Sequence, residues 1–335
     1  MRKNSTWPIR LALVLTLLVW VVGSAAGAPD KVEKPRNYPT RNIEVVVGFG
    51  AGGGTDVWMR AICNAARKIV GVPMVIVNMP GANGAVAQQY VANQPADGYT
   101  ITHGSAGLLM NHLLGRDTTS FRDFIPIMRG VCEPLVLHLK ANSTFKDIKD
   151  VIAYAKANPG RLTVAGTGAL GIDETGVRVA LGGADIKYTY VPFESASEMH
   201  AALIGGHVDM MVEEISVANA MIQARQIRPV LVFSDERLRD YPNVPCCEDL
   251  SLPVPPAGWR GIMVKKGTPP EIAEWLEYVF TEAMKDPTYQ NYVKSSLLDA
   301  SPGYMSGKDF GALWQREHEL YKAVFREAGL LKVDQ

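Results

Sequence analysis

The sequence predicts an α/β protein built from two doubly wound domains that the chain crosses between twice. Three observations carry this. Apolar, β-branched runs alternate with helical patterns along most of the chain. A unit of strand, glycine turn and helix occurs twice, at Val45 to Asp56 and at Val164 to Asp173. The proline-rich PVPPAGWRG, Pro253 to Gly261, reads as a second crossing back to the first domain. The boundaries that follow are a leader at 1–28, a first domain at 29–130 with 258–335, and a second domain at 131–257.

The leader is read from order. Arg2, Lys3 and Arg10 precede the apolar LALVLTLLVWVV, Leu11 to Val22, and the small residues Gly23 to Ala28 close it, as in a secretory signal peptide. The apolar run is about a dozen residues, short of the roughly 20 a spanning helix needs. A soluble, periplasmic protein is expected. After it, Lys31 to Thr40 is polar and proline-bearing and reads as a mobile lead-in.

The elements follow in order. Ile43 to Val47 is a buried-strand run, Thr55 to Val70 a helix, and Met74 to Val77 a strand closed by the glycine-bearing Asn78 to Ala85. Ala85 to Ala92 reads as helix, Asp97 to Gly104 as turn and strand, and Ala106 to Leu114 as helix. Ile127 to Lys140 is one long apolar strand, after which the rhythm restarts. A helix at Phe145 to Asn158, a strand at Leu162 to Gly168, a helix through Leu181 and a strand at Ile186 to Phe193 follow. Next come a helix to Ile204 and a strand at Val208 to Glu214. Amphipathic helices at Pro269 to Val293 and Asp309 to Leu330 end the chain.

Removing Arg2, Lys3 and Arg10 from the 34 basic residues leaves 31 against 34 acidic, a formal charge of about −3 that gives no reason to expect nucleic acid. Cys63, Cys132, Cys246 and Cys247 match no metal spacing; buried free thiols are expected, with one disulfide as the alternative. His103, His112, His138, His200 and His207 are scattered and read as structural, and Ser105 and Ser195 lack a nucleophile-elbow context. Trp58 and Trp259 read as core or hinge packing, with Trp259 close enough to a crossing to line a cleft. No catalytic constellation emerges, and neither a cofactor nor a metal is expected.

Gly48, Gly50 and Gly53 satisfy the G-x-G-x-x-G dinucleotide fingerprint, but the partner features are missing. The next strand ends in Asn78 where a ribose-binding acid is needed, and Gly54-Thr55-Asp56 stands where a P-loop carries lysine. The chemistry left is capture of an oxyanion by backbone N–H groups at a helix start, with Thr55 adding a hydroxyl. Asp56 reads either as a helix cap or as a residue that orients the loop.

Three stretches carry a family likeness: YPTRNIEVVVGFGAGGGTDVWMRAI, VPMVIVNMPGANGAVAQQYVANQPADGYTI and VPFESASEMHAALIGGHVDMM. In order and spacing they resemble the tripartite tricarboxylate transporter receptor family, also called the Bug family of extracytoplasmic solute receptors, from about Tyr38 to Leu330. The resemblance implies a periplasmic-binding-protein, or Venus-flytrap, fold. It also implies a small carboxylate held between two lobes and delivered to the large and small membrane subunits of a permease; a monomer is expected, and a zwitterion is the alternative solute. Matched by position, it implies ligand contacts at Phe49, Gly53, Gly54, Thr55, Asp56, Asn83 and Gly84, and at Ala165, Gly166, Thr167 and Gly168 of the second domain. A sensor for a signalling partner and an enzyme acting on a small carboxylate are the alternative readings.

The chain departs from the family pattern by carrying acid. Asp173-Glu174 stands in place of Ser-His, Glu194 follows Val191-Pro192-Phe193, and Glu213-Glu214 replaces the usual Asp-Asn. Asp173, Glu174, Glu194 and Glu213 either cap helices and face water or meet a cationic or hydroxyl-rich part of the ligand.

Overall fold

Residues 32–327 and 329–332 are described by a computed structural model; the leader read at 1–28 lies outside them. The lead-in is not loose. Tyr38 is buried, donates its hydroxyl to the Gly98 carbonyl at 2.7 Å and meets the Trp275 ring edge-on, so the segment packs on the first sheet. An aromatic ring outweighs the polar composition around it.

The first sheet begins with β1 (Ile43–Val47), α1 (Gly54–Val70), β2 (Met74–Asn78), α2 (Ala85–Ala92), β3 (Thr100–Gly104) and α3 (Gly107–Leu113). β4 (Phe124–Glu133) then leads out of it, and Pro134 separates it from β5 (Leu135–Lys140) in a second sheet. The single strand expected at Ile127 to Lys140 is thus two strands in two sheets. Pro134 has no N–H for a ladder, and the break falls where the chain changes sheet.

The second sheet continues through α4 (Ile148–Ala157), β6 (Leu162–Thr167), α5 (Ile172–Gly182), β7 (Tyr188–Phe193), α6 (Ala196–Gly205), β8 (Met210–Glu214), α7 (Ile215–Gln223) and β9 (Ile227–Val232). The chain returns in β10 (Gly258–Lys265) and closes with α8 (Pro270–Ala283), α9 (Pro287–Ser295), β11 (Met305–Ser306) and α10 (Gly307–Glu327). The one helix expected at Pro269 to Val293 is two. Pro287 restarts it, and Asp286 caps the restart by accepting the Thr288 and Tyr289 N–H groups.

The strand orders are β11-β4-β10-β3-β1-β2 and β7-β6-β8-β5-β9. The α/β class with two lobes is as expected, but both sheets are mixed where the sequence rhythm suggests parallel ones. β10 enters between β3 and β4 antiparallel to both, and β5 enters between β8 and β9 antiparallel to both. The strands that run against their neighbours are those adjoining the two crossings.

Period-two alternation explains how each sheet is covered on both faces. Val45 and Val47 join Trp58, Ile62 and Trp275 in one apolar cluster, while Val46 between them joins Leu109, Phe310 and Trp314 in another. In the second sheet Met210 and Val212 pack with Leu137 and Val177, and Met211 packs with Met199 and Leu203. All four cysteines are free thiols, and three of them are buried. No helix among the described residues is long and apolar enough to cross a membrane.

β10 runs tightly over α10. A Cβ at Gly261 would lie 2.3 Å from Phe310 Cε1 and 2.6 Å from the Met128 carbonyl oxygen. Gly261→Ala is expected to destabilise the protein by about 1–3 kcal/mol through overpacking, read as a lower midpoint in chemical denaturation.

Candidate functional site

Where the two lobes face each other, the starts of several helices surround one cavity. Its empty space is about 1000 Å³ counting the part open to solvent, which suits a small solute and excludes a macromolecule. The first lobe contributes Phe49, Gly50, Gly53, Gly54 and Thr55 before and in α1, with Ser105, Ala106 and Gly107 before α3. The second contributes Ile172 and Asp173 of α5, Ser195, Ala196 and Ser197 at the start of α6, Glu214 at the end of β8 and Val217 of α7. First-turn N–H groups have no carbonyl within their own helix, and the helix dipole adds partial positive charge there.

The glycine turn before α1 is locked from behind. Asp56 accepts the Gly52 N–H at 2.8 Å and Arg60 Nε at 2.9 Å, and its other oxygen accepts Asn78 Nδ2 at 2.9 Å. Asn78 also donates to the Phe49 carbonyl, so the end of β2 and both ends of the turn meet at one carboxylate. Asp56 therefore both sits in the first turn of α1 and orients the loop. Burial opposes its charge, but the bonds from Arg60, Gly52 and Asn78 outweigh that and hold its pKa below the usual value. The left-handed residue of the turn is Gly52, at φ +81°, whereas Gly53 is extended at φ −72°. Close approach, not backbone handedness, is what calls for glycine at Gly54. A Cβ there would lie 2.7 Å from Arg260 Nη2 and 2.8 Å from Val217 Cγ2.

His103 supports the same turn by accepting the Gly48 N–H at 2.9 Å. Burial first, and the Arg260 charge second, push its pKa down to about 4, which keeps the ring neutral and able to accept. Across the mouth, Asn83 donates to the Ala169 carbonyl at 3.3 Å and Arg116 donates to the same oxygen at 2.6 Å. First-lobe side chains thus rest on the β6–α5 turn.

Beneath the cavity lies a buried ion cluster that sequence reading missed. Arg260 Nη1 reaches Glu133 at 2.5 Å and Nη2 reaches Glu214 at 2.9 Å, while Ser216 donates to Glu133 at 2.8 Å. Register explains the meeting. β10 pairs Gly258 with Glu133, and β5 pairs Leu135 with Glu214, so the strands on either side of Pro134 bring the three groups together. Burial works against the Arg260 charge, but Glu214 and Glu133 more than offset it, and the guanidinium stays protonated. The signal available in sequence was a lone arginine and a lone glutamate inside apolar strand runs, AGWRGIMVK and VCEPLVLHL.

The residues singled out from sequence divide in two. Phe49, Gly53, Gly54, Thr55, Asn83, Thr167, Asp173, Glu194 and Glu213 line the cavity, and Gly168 lines an adjoining one at the mouth. Asp56, Gly84, Ala165, Gly166 and Glu174 stand behind the wall. Ala165 is in the core beside Met211, and a Cβ at Gly166 would meet Tyr190 Oη at 2.2 Å. Glu174 accepts the Leu170 N–H at 2.6 Å and pairs with Arg178, which is a supporting role for the turn. Asp173 folds back to accept the Thr167 N–H and hydroxyl at 2.7 and 2.8 Å, Glu213 pairs with His200, and Glu194 is exposed at the rim. Trp259 reaches the cavity wall with its indole N–H on Glu317, whereas Trp58 is in the core. Among the described residues no group of His, Cys, Asp and Glu is placed to hold a metal ion.

Residues 58–330 match the model of the tripartite tricarboxylate transporter family receptor. The chain belongs to that family. The receptor is 28% identical over 298 residues to the UPF0065 protein in the gbd 5′ region of Cupriavidus necator, covering 88% of this chain and 90% of that one. A TctC solute binding protein from Polaromonas, solved without ligand, is 27% identical with a TM-score of 0.67 and covers 87% of this chain and 99% of its own. MatC from Rhodopseudomonas palustris, solved with bound malate, is 25% identical with a TM-score of 0.77 over 86% of this chain and 99% of its own. Family and fold are those of solute-binding receptors rather than enzymes, and receptors of this family are periplasmic.

Asp56→Asn is expected to cost the receptor about 1–3 kcal/mol at neutral pH, because it removes a charged acceptor from a buried network. Since the folded pKa of Asp56 is depressed, that contribution is complete above its ordinary value of 3.8 and is lost as pH falls through the folded value. Denaturation at pH 7 and pH 3 should show the gap between variant and wild type closing. Arg260→Leu strands the buried Glu133 carboxylate and leaves the half-buried Glu214 without its partner, and is expected to cost about 3–5 kcal/mol at pH 7. That deficit should narrow at pH 5, because burial raises the pKa of the Glu133 carboxyl and it regains a proton there.

Proposed function

We propose that the receptor closes its two lobes on a small carboxylate-bearing metabolite in the periplasm and delivers it to the large and small membrane subunits of a tripartite tricarboxylate-type permease. The observation that carries the reading is the glycine turn at the start of α1. It offers the first-turn N–H groups of Gly54 and Thr55 to the cavity while Asp56 and Asn78 hold it in shape. Anion capture by preset backbone dipoles needs no cofactor, and the second lobe closes the cavity with the α5, α6 and α7 helix starts. Malate in MatC supports a small carboxylate as the solute class. Membership of the family supports the permease as the destination.

The test is a thermal-shift screen of the chain without its leader over mono-, di- and tricarboxylates and amino acids, followed by calorimetry on the hits. A solute that binds only the native state raises the melting temperature by mass action. Gly54→Val is expected to lower affinity at least about tenfold, because its side chain would crowd Arg260 within the first lobe and meet Val217 of the second before the lobes could close. A denaturation curve on the same variant separates that loss from any disturbance of the Arg260 cluster, which the added Cβ would also crowd. Unchanged affinity in that variant would remove the turn from the site.

A further inference from the structure

Five charged side chains line the cavity: Asp173, Glu194, Glu213, Glu214 and Arg260. The single cation among them already has both terminal nitrogens on carboxylates, those of Glu133 and Glu214. Arg116 stands at the adjoining mouth, with its guanidinium on the Ala169 and Leu170 carbonyls. A plain dicarboxylate entering this space would meet a wall of carboxyl groups and find no uncommitted cation among the described residues to pair with its second charge.

Asp173 and Glu213 are each only 4% exposed, yet both reach the cavity. Both hydrogen bonds to Asp173 fall on Oδ2, from Thr167, and the His200 partner of Glu213 meets Oε2. Asp173 Oδ1 and Glu213 Oε1 accept no bond from any described residue, and neither is sealed away from open space. Caps or surface acids would be satisfied by backbone or by bulk water. On an otherwise buried wall a carboxylate is costly without a counter-charge, so each of these oxygens offers an acceptor to a cation that can take the place of a proton.

We propose, on the footing of the receptor reading, that the solute is a zwitterion: its carboxylate rests on the glycine turn before α1, and its ammonium group docks on Asp173 and Glu213 of the second lobe. An ammonium carries three donors and no acceptor, which matches two carboxylate oxygens and leaves one donor for a hydroxyl or water. Glu194 at the rim adds negative potential along the way in.

The surroundings of Asp173 make the cation measurable. Thr167 faces it from β6, Tyr190 from β7, and Glu213 and Glu214 from β8. Burial, then the Glu214 charge, with Glu213 adding to it, raise its pKa to about 8 against the Thr167 bonds, so it holds a proton at neutral pH until a cation arrives. Docking an ammonium lowers that pKa and expels the proton. Binding at pH 7 therefore releases protons, and the binding enthalpy depends on the ionisation enthalpy of the buffer.

The experiment is calorimetry on the chain without its leader, in phosphate and in Tris at pH 7, over matched sets: succinate, γ-aminobutyrate and putrescine; glutarate, δ-aminovalerate and cadaverine; and the α-amino acids. The expected binders are amino acids, with proton release, and both Asp173→Asn and Glu213→Gln should weaken them about tenfold or more. Tight dicarboxylate binding with no amino acid bound overturns the zwitterion while leaving the receptor reading in place. Diamine binding alone overturns it too, since the glycine turn would then hold no anion. Unchanged affinity in both variants, or no buffer dependence in the wild type, removes the acidic wall from recognition even where an amino acid binds. No binder in any set brings down this inference together with the receptor reading for these solutes.

Discussion

The buried guanidinium of Arg260 is the constraint on which the cleft is built. It lies on β10 as that strand re-enters the first sheet, and its carboxylate partners come from the last residue of β4 and the junction of β8 with α7. The strands β4 and β8 and the strand that returns are thereby fixed to one point. A buried ion triad adds little net stability over an apolar core, but it tolerates few alternative arrangements, because each charge removed strands another. Its strength here is positional. The strand ends that carry Glu133, Trp259 and Arg260 cannot slide without unpairing a charge.

From that point the two lobes present complementary surfaces. The first is a surface of backbone donors, in which Asp56 and Asn78 work from behind and leave Gly53, Gly54 and Thr55 facing the cavity. The second is rich in carboxyl groups, each secured by one neighbour: Asp173 by Thr167, Glu213 by His200, Glu214 by Arg260. Supporting residues lie one layer back, and the neutral His103 under Gly48 is an example. A protonated ring there could not accept the Gly48 N–H. Rigid support of this kind suits a receptor, since little has to be ordered when the solute arrives.

Legibility in the sequence followed range. Where one interaction decided an element, the pattern was clear: the Val45, Val46 and Val47 run, the glycine turn, and the amphipathic α1 and α10 were all visible. Where a local signal was subtle the reading failed in a definite way. Pro134 divides an apolar run that looks continuous, and Asp286-Pro287 stops and restarts a helix whose apolar spacing continues through it. Tyr38 packs down a segment whose other residues are polar. Among candidate site residues, a place at a helix start did not decide the outcome: Gly53, Gly54, Thr55 and Asp173 reached the cavity, whereas Asp56 and Glu174 turned back to support their loops. Ala165 and Gly166, carried over from a strand end, pack behind the cavity.

By itself the sequence determined the α/β class, the two glycine turns that begin α1 and α5, and the presence of unusual acid near the second turn. Periodicity, glycine and side-chain charge are local properties, written within a few residues of one another. The tertiary structure alone decided what those acids face. Glu133 and Glu214 are 127 and 46 positions from Arg260 in sequence, and strand register brings the three together at one point. Helix packing decided that Asp173 faces the cavity while Glu174, one residue later, turns to Arg178. On a helix, adjacent residues point about 100° apart, so packing of α5 against its sheet, not the order of the letters, selects which carboxyl meets a ligand.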